Sequence, residues 1–281
     1  LNIVHGGRDC VDAILEHPDI DAISFVGSTP IARTIFEKGT QNGKRVQAAG
    51  GAKNFAVIMP DADPEKTAEG LRDGAFGCAG ERCMASSTAV AVGEAGDRVL
   101  PGLVDAVNAM KVGPTDQADS QPNMGAVITG EHRDRVTDLI NTGEKGGATV
   151  LTDGRNLKID DAPDGFYVGP TVIDHVEYGN ELMDHEVFGP VLTVLRANTL
   201  DEAITLANQQ SFGNGAAIYT GSGKAAREFR HRVSAGMVGI NVGVPAPLAY
   251  FAFTGWNQSF FGDLHIQGKE ASSFTPNARR R

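Results

Sequence analysis

The chain has 281 residues, 41% hydrophobic and 6% aromatic, enough for one large domain or two modest ones with buried cores. Its net charge of −10 leaves no general basic field for a nucleic-acid backbone or an anionic membrane surface, and no run reaches the ~18 apolar residues of a membrane helix. Three cysteines (Cys10, Cys78 and Cys83), an odd number without tight-loop spacing, argue against a disulfide framework and for a reducing compartment, which we expect to be the cytoplasm.

The opening "LNIVHGGRDC" carries no methionine and enters at once what reads as the middle of an α/β unit, so the expectation is a fragment. "DAISFVGS" is a short strand ending in Gly27 and Ser28. "STPIARTIFEKG" then predicts a helix, with Ser28 or Thr29 as cap, Pro30 at the first position and Gly39 following its end. "KRVQA" and "NFAVIMP" are apolar strand runs. "DPEKTAEGLRDGAFGCAG" spaces Ala68, Leu71, Ala75 and Cys78 three and four apart, which predicts a helix leading to Cys83, with Cys78 in the core. Next come a strand at "STAVAVG", helices at "DRVLPGLVDAVNAM" and "HRDRVTDLINTG", and strands at "ATVLTDG", "YVGPTVIDHV" and "GPVLTVLRA". "LDEAITLANQQ", "NGAAIYTG", "GKAAREFRHRV" and "MVGINV" close a helix, strand, helix, strand series. Such alternation predicts a mainly parallel sheet covered by helices. "QADSQPN" and "WNQSFFGD" read as irregular loops, and the dense basic run Arg279, Arg280 and Arg281 ends the chain.

Three stretches are candidates for chemistry. In "FGCAGERCMASS", small residues leave room for a ligand to approach Cys83. A reactive thiolate needs a helix N-terminus or a nearby cation, which Arg82 could supply, while Glu81 opposes ionisation. Against this stands the ordinary fate of a cysteine as a small buried hydrophobe. "FVGSTP", at a strand-to-helix junction, could offer free N–H groups to a phosphate or be a plain turn. "HEVFGPV" sets Glu186 and Phe188 beside a Gly-Pro turn: a carboxylate for ribose hydroxyls and a ring for a heterocycle, or an exposed charge and a core aromatic. The histidines show no metal-ligand spacing, so no metal is expected.

In this order, "ISFVGS", "KRVQAAGGAKN", "GERCMASSTAVAVGEA", "FGPV" and "AFTG" resemble the aldehyde dehydrogenase superfamily. Within it, "AKN" after a Gly-rich turn and the Arg-Cys-Met run are similar to the CoA-acylating methylmalonate-semialdehyde dehydrogenase branch, from "NIVHGG" to about "GKE". The resemblance implies an α/β fold of aldehyde dehydrogenase type, a partial Rossmann-type cofactor domain plus an α/β catalytic domain. Residues 1–51 would belong to the dinucleotide domain, 52–255 to the catalytic domain, and 256–281 to a truncated oligomerisation arm. It implies Cys83 as the nucleophile that attacks the aldehyde carbon and carries the thioester. Gly27 and Ser28 match the turn at the NAD pyrophosphate, and Glu186 and Phe188 the pair at the nicotinamide ribose and ring. Arg82 matches an arginine for the substrate carboxylate, a charged hydrogen bond worth about 1.5–3 kcal/mol.

Hydrolytic relatives carry a glutamate, in E-L-G-G-K, where this chain has Ala49 of "AGGAK". A positioned general base typically contributes about 10²–10⁴ in rate. Its absence implies transfer of the acyl group to coenzyme A, and the resemblance implies propionyl-CoA from methylmalonate semialdehyde or acetyl-CoA from malonate semialdehyde, in each case with loss of CO2, and a place in valine catabolism. The acylating branch usually has asparagine there, so Ala49 is a departure, as are Gly50 and Glu81. The family's N-terminal half, with its oxyanion asparagine, ribose lysine and second substrate arginine, has no counterpart here, and "EASSFTPNARRR" diverges. The resemblance implies a dimeric or tetrameric homo-oligomer for the full-length relative, a small semialdehyde as substrate, and neither nucleic-acid nor membrane partners. Two other expectations stand beside it: an NAD(P)-dependent enzyme that hydrolyses its thioester, and a chain inactive on its own.

Overall fold

In chain order the computed structural model runs α1 (Arg8–Glu16), β1 (Ala22–Val26), α2 (Thr29–Gln41), β2 (Arg45–Ala49), β3 (Asn54–Ile58), α3 (Pro64–Phe76), β4 (Ser86–Val92), α4 (Ala95–Asn108), α5 (Gly130–Lys145) and β5 (Thr149–Thr152). It continues through β6 (Thr171–Asp174), β7 (Val191–Ala197), α6 (Leu200–Asn208), β8 (Phe212–Gly213), β9 (Gly215–Tyr219), α7 (Gly223–Arg232), β10 (Met237–Ile240), β11 (Trp256–Asn257), β12 (Phe260–Phe261) and α8 (Gly268–Phe274). The structure describes residues 1–116 and 121–274. Part of "QADSQPN" and the terminal arginines therefore lie outside the described residues.

The larger sheet has seven strands in the order β10-β9-β3-β4-β7-β6-β5, parallel except for the β5–β6 edge pair. Helices cover both faces, so the central strands must be apolar on both sides. Val57, Val90, Leu195 and Ile218 point to one layer, with Phe229 of α7 and Ile140 of α5. Their neighbours Ile58, Ala89, Val194 and Tyr219 point to the other, with Leu71 and Phe76 of α3 and Leu103 of α4. Side-chain caps start four of these helices: Asp63, Thr129, Thr199 and Ser222 each accept from a backbone N–H in the first turn. Among the described residues no helix is long and apolar enough to cross a membrane.

The smaller sheet, β1-β2-β12, packs α1 and α2 over Leu15, Ala32, Ile35, Val46 and Ala48. β1 and β2 are parallel, whereas β12 returns antiparallel, with Phe260 opposite Ala49 and Phe261 opposite Ala48. Part of the segment expected as a C-terminal arm thus adds a strand here. Beyond it Arg45 donates to the Ser273 carbonyl at 2.7 Å and lies 5.4 Å from the Phe274 ring centroid.

Four local expectations change. "WNQSFFGD", expected as an irregular loop, forms the two-residue strands β11 and β12 around a turn. α1 was not anticipated; of its apolar residues only Leu15 is buried, too thin a stripe to signal a helix. α2 passes Gly39 and runs to Gln41, the chain then turning at Gly43, whose φ is +75°. Cys78, expected in the core, is exposed. α3 ends at Phe76, and Cys78, Ala79 and Gly80 adopt left-handed φ values of 52°, 52° and 69°; that reversal ends the 3.6-residue periodicity on which the core assignment rested.

Candidate active site

Cys83 lies in the turn between the left-handed reversal and β4, half-buried. Two amides from distant elements fix its peptide. Asn54, at the start of β3, and Asn214, between β8 and β9, donate their Nδ2 to the Cys83 carbonyl at 2.9 and 2.8 Å. Asn54 also donates to the Ala85 carbonyl at 2.8 Å and accepts from the Gly215 N–H at 2.9 Å, so one amide couples β3, the β4 entrance and β9. Burial raises the Cys83 thiol above its usual range, and the Glu186 carboxylate adds to that rise; the N–H groups of Cys83 and Met84 oppose it.

Two expectations about neighbours of the sulfur are corrected. Arg82 does not face the thiol as an activating cation: its Nη2 donates to the Asp73 carbonyl at 2.5 Å, and its buried Nε has no hydrogen-bond partner. Glu81 is not the opposing carboxylate either. It accepts from the Ile128 N–H at 3.1 Å and lies 3.5 Å from His132 Nε2, leaving Glu186 to oppose ionisation of the sulfur.

Glu186 reaches across from the loop before β7 and accepts from the Ala52 N–H at 3.0 Å. A Cβ on Gly51 would fall 2.5 Å from Glu186 Oε2, so this carboxylate needs a residue without a side chain beneath it. Burial raises the Glu186 pKa, while the Ala52 N–H, Arg135 and Lys53 pull it down. Lys53 is itself buried, donating to the carbonyls of Leu182 and His185 at 2.7 and 2.8 Å. Its pKa is lowered to about 7 by burial, against the pull of Glu186 and Asp184.

The Gly50–Gly51 turn is held against the start of α2. Thr29 Oγ1 accepts from the Gly51 N–H at 2.8 Å and donates to the Gln258 carbonyl at 3.2 Å. Ser28 occupies the cap position of α2 with its hydroxyl not bonded to the helix, and Pro30 follows, so the helix start keeps N–H groups for an anion. Ala49, one residue before the turn, is buried at the end of β2 and offers only a methyl group.

One cleft of about 980 Å³ joins these pieces. Gly27, Ser28, Arg82, Cys83, Glu186 and Phe188 all line it, together with Gly50, Gly51, Glu81, His132 and Arg135. All six residues singled out from sequence therefore meet in one space. Asn54, Asn214, Lys53, His132 and Arg135 were not singled out. "AKN" held the only sequence signal for two of them, because the others act through contacts between elements far apart in the chain. Among the described residues no group of three or more His, Cys, Asp or Glu is disposed to hold a metal ion.

The Cys83 thiol, the start of α2 with its cap hydroxyl unbonded to the helix, and the Glu186 carboxylate over the glycine turn thus border one cleft. The family model for the aldehyde dehydrogenase family matches residues 1–278, and the chain belongs to that family. It is 49% identical over 274 residues to malonate-semialdehyde dehydrogenase 1 of Oceanobacillus iheyensis, covering 98% of this chain and 56% of that protein. With malonate-semialdehyde dehydrogenase of Halalkalibacterium halodurans the identity is 47%, over the same shares. The crystal structure of a putative methylmalonate-semialdehyde dehydrogenase from Sinorhizobium meliloti, complexed with NAD, superposes with a TM-score of 0.93 at 46% identity, covering 96% of this chain and 55% of that one. Betaine aldehyde dehydrogenase from Staphylococcus aureus, in complex with NAD+, gives 0.87 at 30% identity over 93% and 51%. The chain thus spans little more than half the length of the relatives it matches.

Proposed function

We propose that this chain carries the thiol-bearing part of an NAD-dependent, CoA-acylating semialdehyde dehydrogenase, acting on methylmalonate or malonate semialdehyde. The observation that carries the reading is the single cleft joining the Cys83 thiol to Gly27, Ser28 and Glu186. The residues fit a dinucleotide: free N–H groups at the start of α2 suit a pyrophosphate, Glu186 suits ribose hydroxyls, and the exposed Phe188 suits a flat ring. NAD, when bound, supplies the hydride acceptor. Cys83 Sγ, once deprotonated, attacks the aldehyde carbon, and the N–H groups that face the sulfur stabilise its charge. After oxidation the acyl group is held on Sγ as a thioester. Arg82, which lines the cleft, suits the carboxylate of an acidic semialdehyde.

The fate of the thioester follows from Ala49. A methyl group buried in β2 cannot take a proton from water, and a missing general base slows hydrolysis by about 10²–10⁴. A soluble thiol then collects the acyl group, and Cys83 leaves as its thiolate. We read residues 1–51 as part of the dinucleotide domain and 52–255 as the catalytic domain. The test follows the mass of the 281-residue chain with aldehyde and NAD: an acyl adduct mapped to Cys83 persists without coenzyme A and disappears on its addition. Equal loss to water without coenzyme A overturns the reading.

A further inference from the structure

Residues 185–188 pass the cleft outside any strand or helix, yet each carbonyl oxygen is taken by a side chain. His185 O accepts from Lys53 Nζ at 2.8 Å, Glu186 O from Arg135 Nη2 at 2.8 Å, Val187 O from Arg135 Nη1 at 2.9 Å, and Phe188 O from His132 Nε2 at 2.6 Å. Backbone carbonyls are usually satisfied by other backbone, so four side-chain contacts in a row are unusual. The segment is also strained: Phe188 has φ 52°, a left-handed conformation that a bulky residue adopts only when its surroundings impose it. His132 and Arg135 stand three residues apart on the first turns of α5, so they share a face. Arg135 spans two successive carbonyls with one planar fork, a contact an ammonium cannot copy. Lys53 completes the set, donating to the carbonyls of Leu182 and His185.

We propose that Arg135, supported by His132 and Lys53, is a positioning residue: by gripping the carbonyls of residues 186 and 187 it keeps Glu186 on the Ala52 N–H and Phe188 in its left-handed turn. The cleft is then set for the dinucleotide before it arrives, and binding need not order this loop. The inference rests on the reading of Glu186 under Proposed function, so its test has one arm that needs no nucleotide.

The variants are R135M, R135K, E186Q and R135M/E186Q in the full 281-residue chain. Arg135 is exposed on a helix surface and E186Q keeps the volume of its side chain, so the variants stay folded, which thermal melting checks for each. In the first arm, iodoacetamide labelling of Cys83 is followed against pH, with mass mapping to separate it from Cys78. E186Q moves the midpoint to lower pH by removing the opposing carboxylate. R135M moves it the same way as Glu186 leaves the sulfur, R135K lies between, and the double variant goes no further than E186Q. In the second arm, R135M weakens NAD binding about tenfold, and adds nothing in the E186Q background. Independent, multiplying losses overturn the proposal, because Arg135 would then act on the nucleotide directly; an unmoved midpoint in R135M overturns it too. If E186Q leaves NAD affinity unchanged while the midpoints behave as stated, the nucleotide role of Glu186 fails and the positioning role stands.

Discussion

Asn54→Ala tests how the nucleophile is held. In the native chain this amide donates to the Cys83 and Ala85 carbonyls and accepts from the Gly215 N–H, all within 2.9 Å. Alanine removes all three bonds. The Cys83 carbonyl keeps Asn214, so its loss is an ordinary hydrogen bond of about 1 kcal/mol. The Ala85 carbonyl and the Gly215 N–H lose their side-chain partner inside the protein, at about 1–3 kcal/mol each. The total is about 3–7 kcal/mol, or about 6–14 °C in melting temperature at ~2 °C per kcal/mol for a chain of this size. Urea unfolding measures it, alongside the iodoacetamide rate at Cys83, which changes as the peptide turns. Asn54→Asp keeps the volume and the bond to Gly215 but points a carboxylate at two carbonyls, so at pH 8 it should cost at least as much as alanine. A loss below 1 kcal/mol for either variant, with an unchanged labelling rate, would refute the reasoning.

Cys83→Ser should abolish dehydrogenase chemistry and Cys78→Ser leave most of it, read as NADH formation; equal losses would show that Cys83 is not the nucleophile. Because Cys78 is exposed, iodoacetamide should label it with or without NAD, whereas NAD should protect Cys83; mass mapping of both thiols checks this. Gly51→Ala places a methyl group 2.5 Å from Glu186 Oε2 and should drive the carboxylate off the Ala52 N–H, weakening NAD binding about tenfold with little change in urea stability. Lys53, lowered to about 7 from 10.5, binds fewer protons folded than unfolded between those values, so its contribution to stability rises with pH across that window and is smallest below it. Unfolding free energies at several pH values should show that rise in the native chain and a flatter profile in Lys53→Met.

The regular frame was legible because the parallel strands are short apolar runs between turn residues and most of the helices that follow them begin at a side-chain cap or a proline, α4 after Glu94 excepted. What escaped is what depends on distant partners. β12 is only two residues long and exists through its pairing with β2, some 210 positions earlier, which no local pattern records. Cys78 has helical spacing, but three left-handed residues in a row cancel it. The six site residues could be brought together only through family resemblance, since spacing alone left each of them with a plainer reading. Arg82 shows the limit of adjacency: its place before Cys83 suggests a cation beside the sulfur, whereas its Nη2 donates to the Asp73 carbonyl.

The return of β12 also sets an order of events during synthesis. Ser259 donates to the Gly51 carbonyl at 2.7 Å and accepts the Gly213 N–H at 3.0 Å, while the Gly50 N–H reaches the Ser259 carbonyl at 2.9 Å. The turn beside the thiol therefore waits for a residue that leaves the ribosome more than 200 positions after it. A chain that stops before this serine lacks both of its bonds to the Gly50–Gly51 turn.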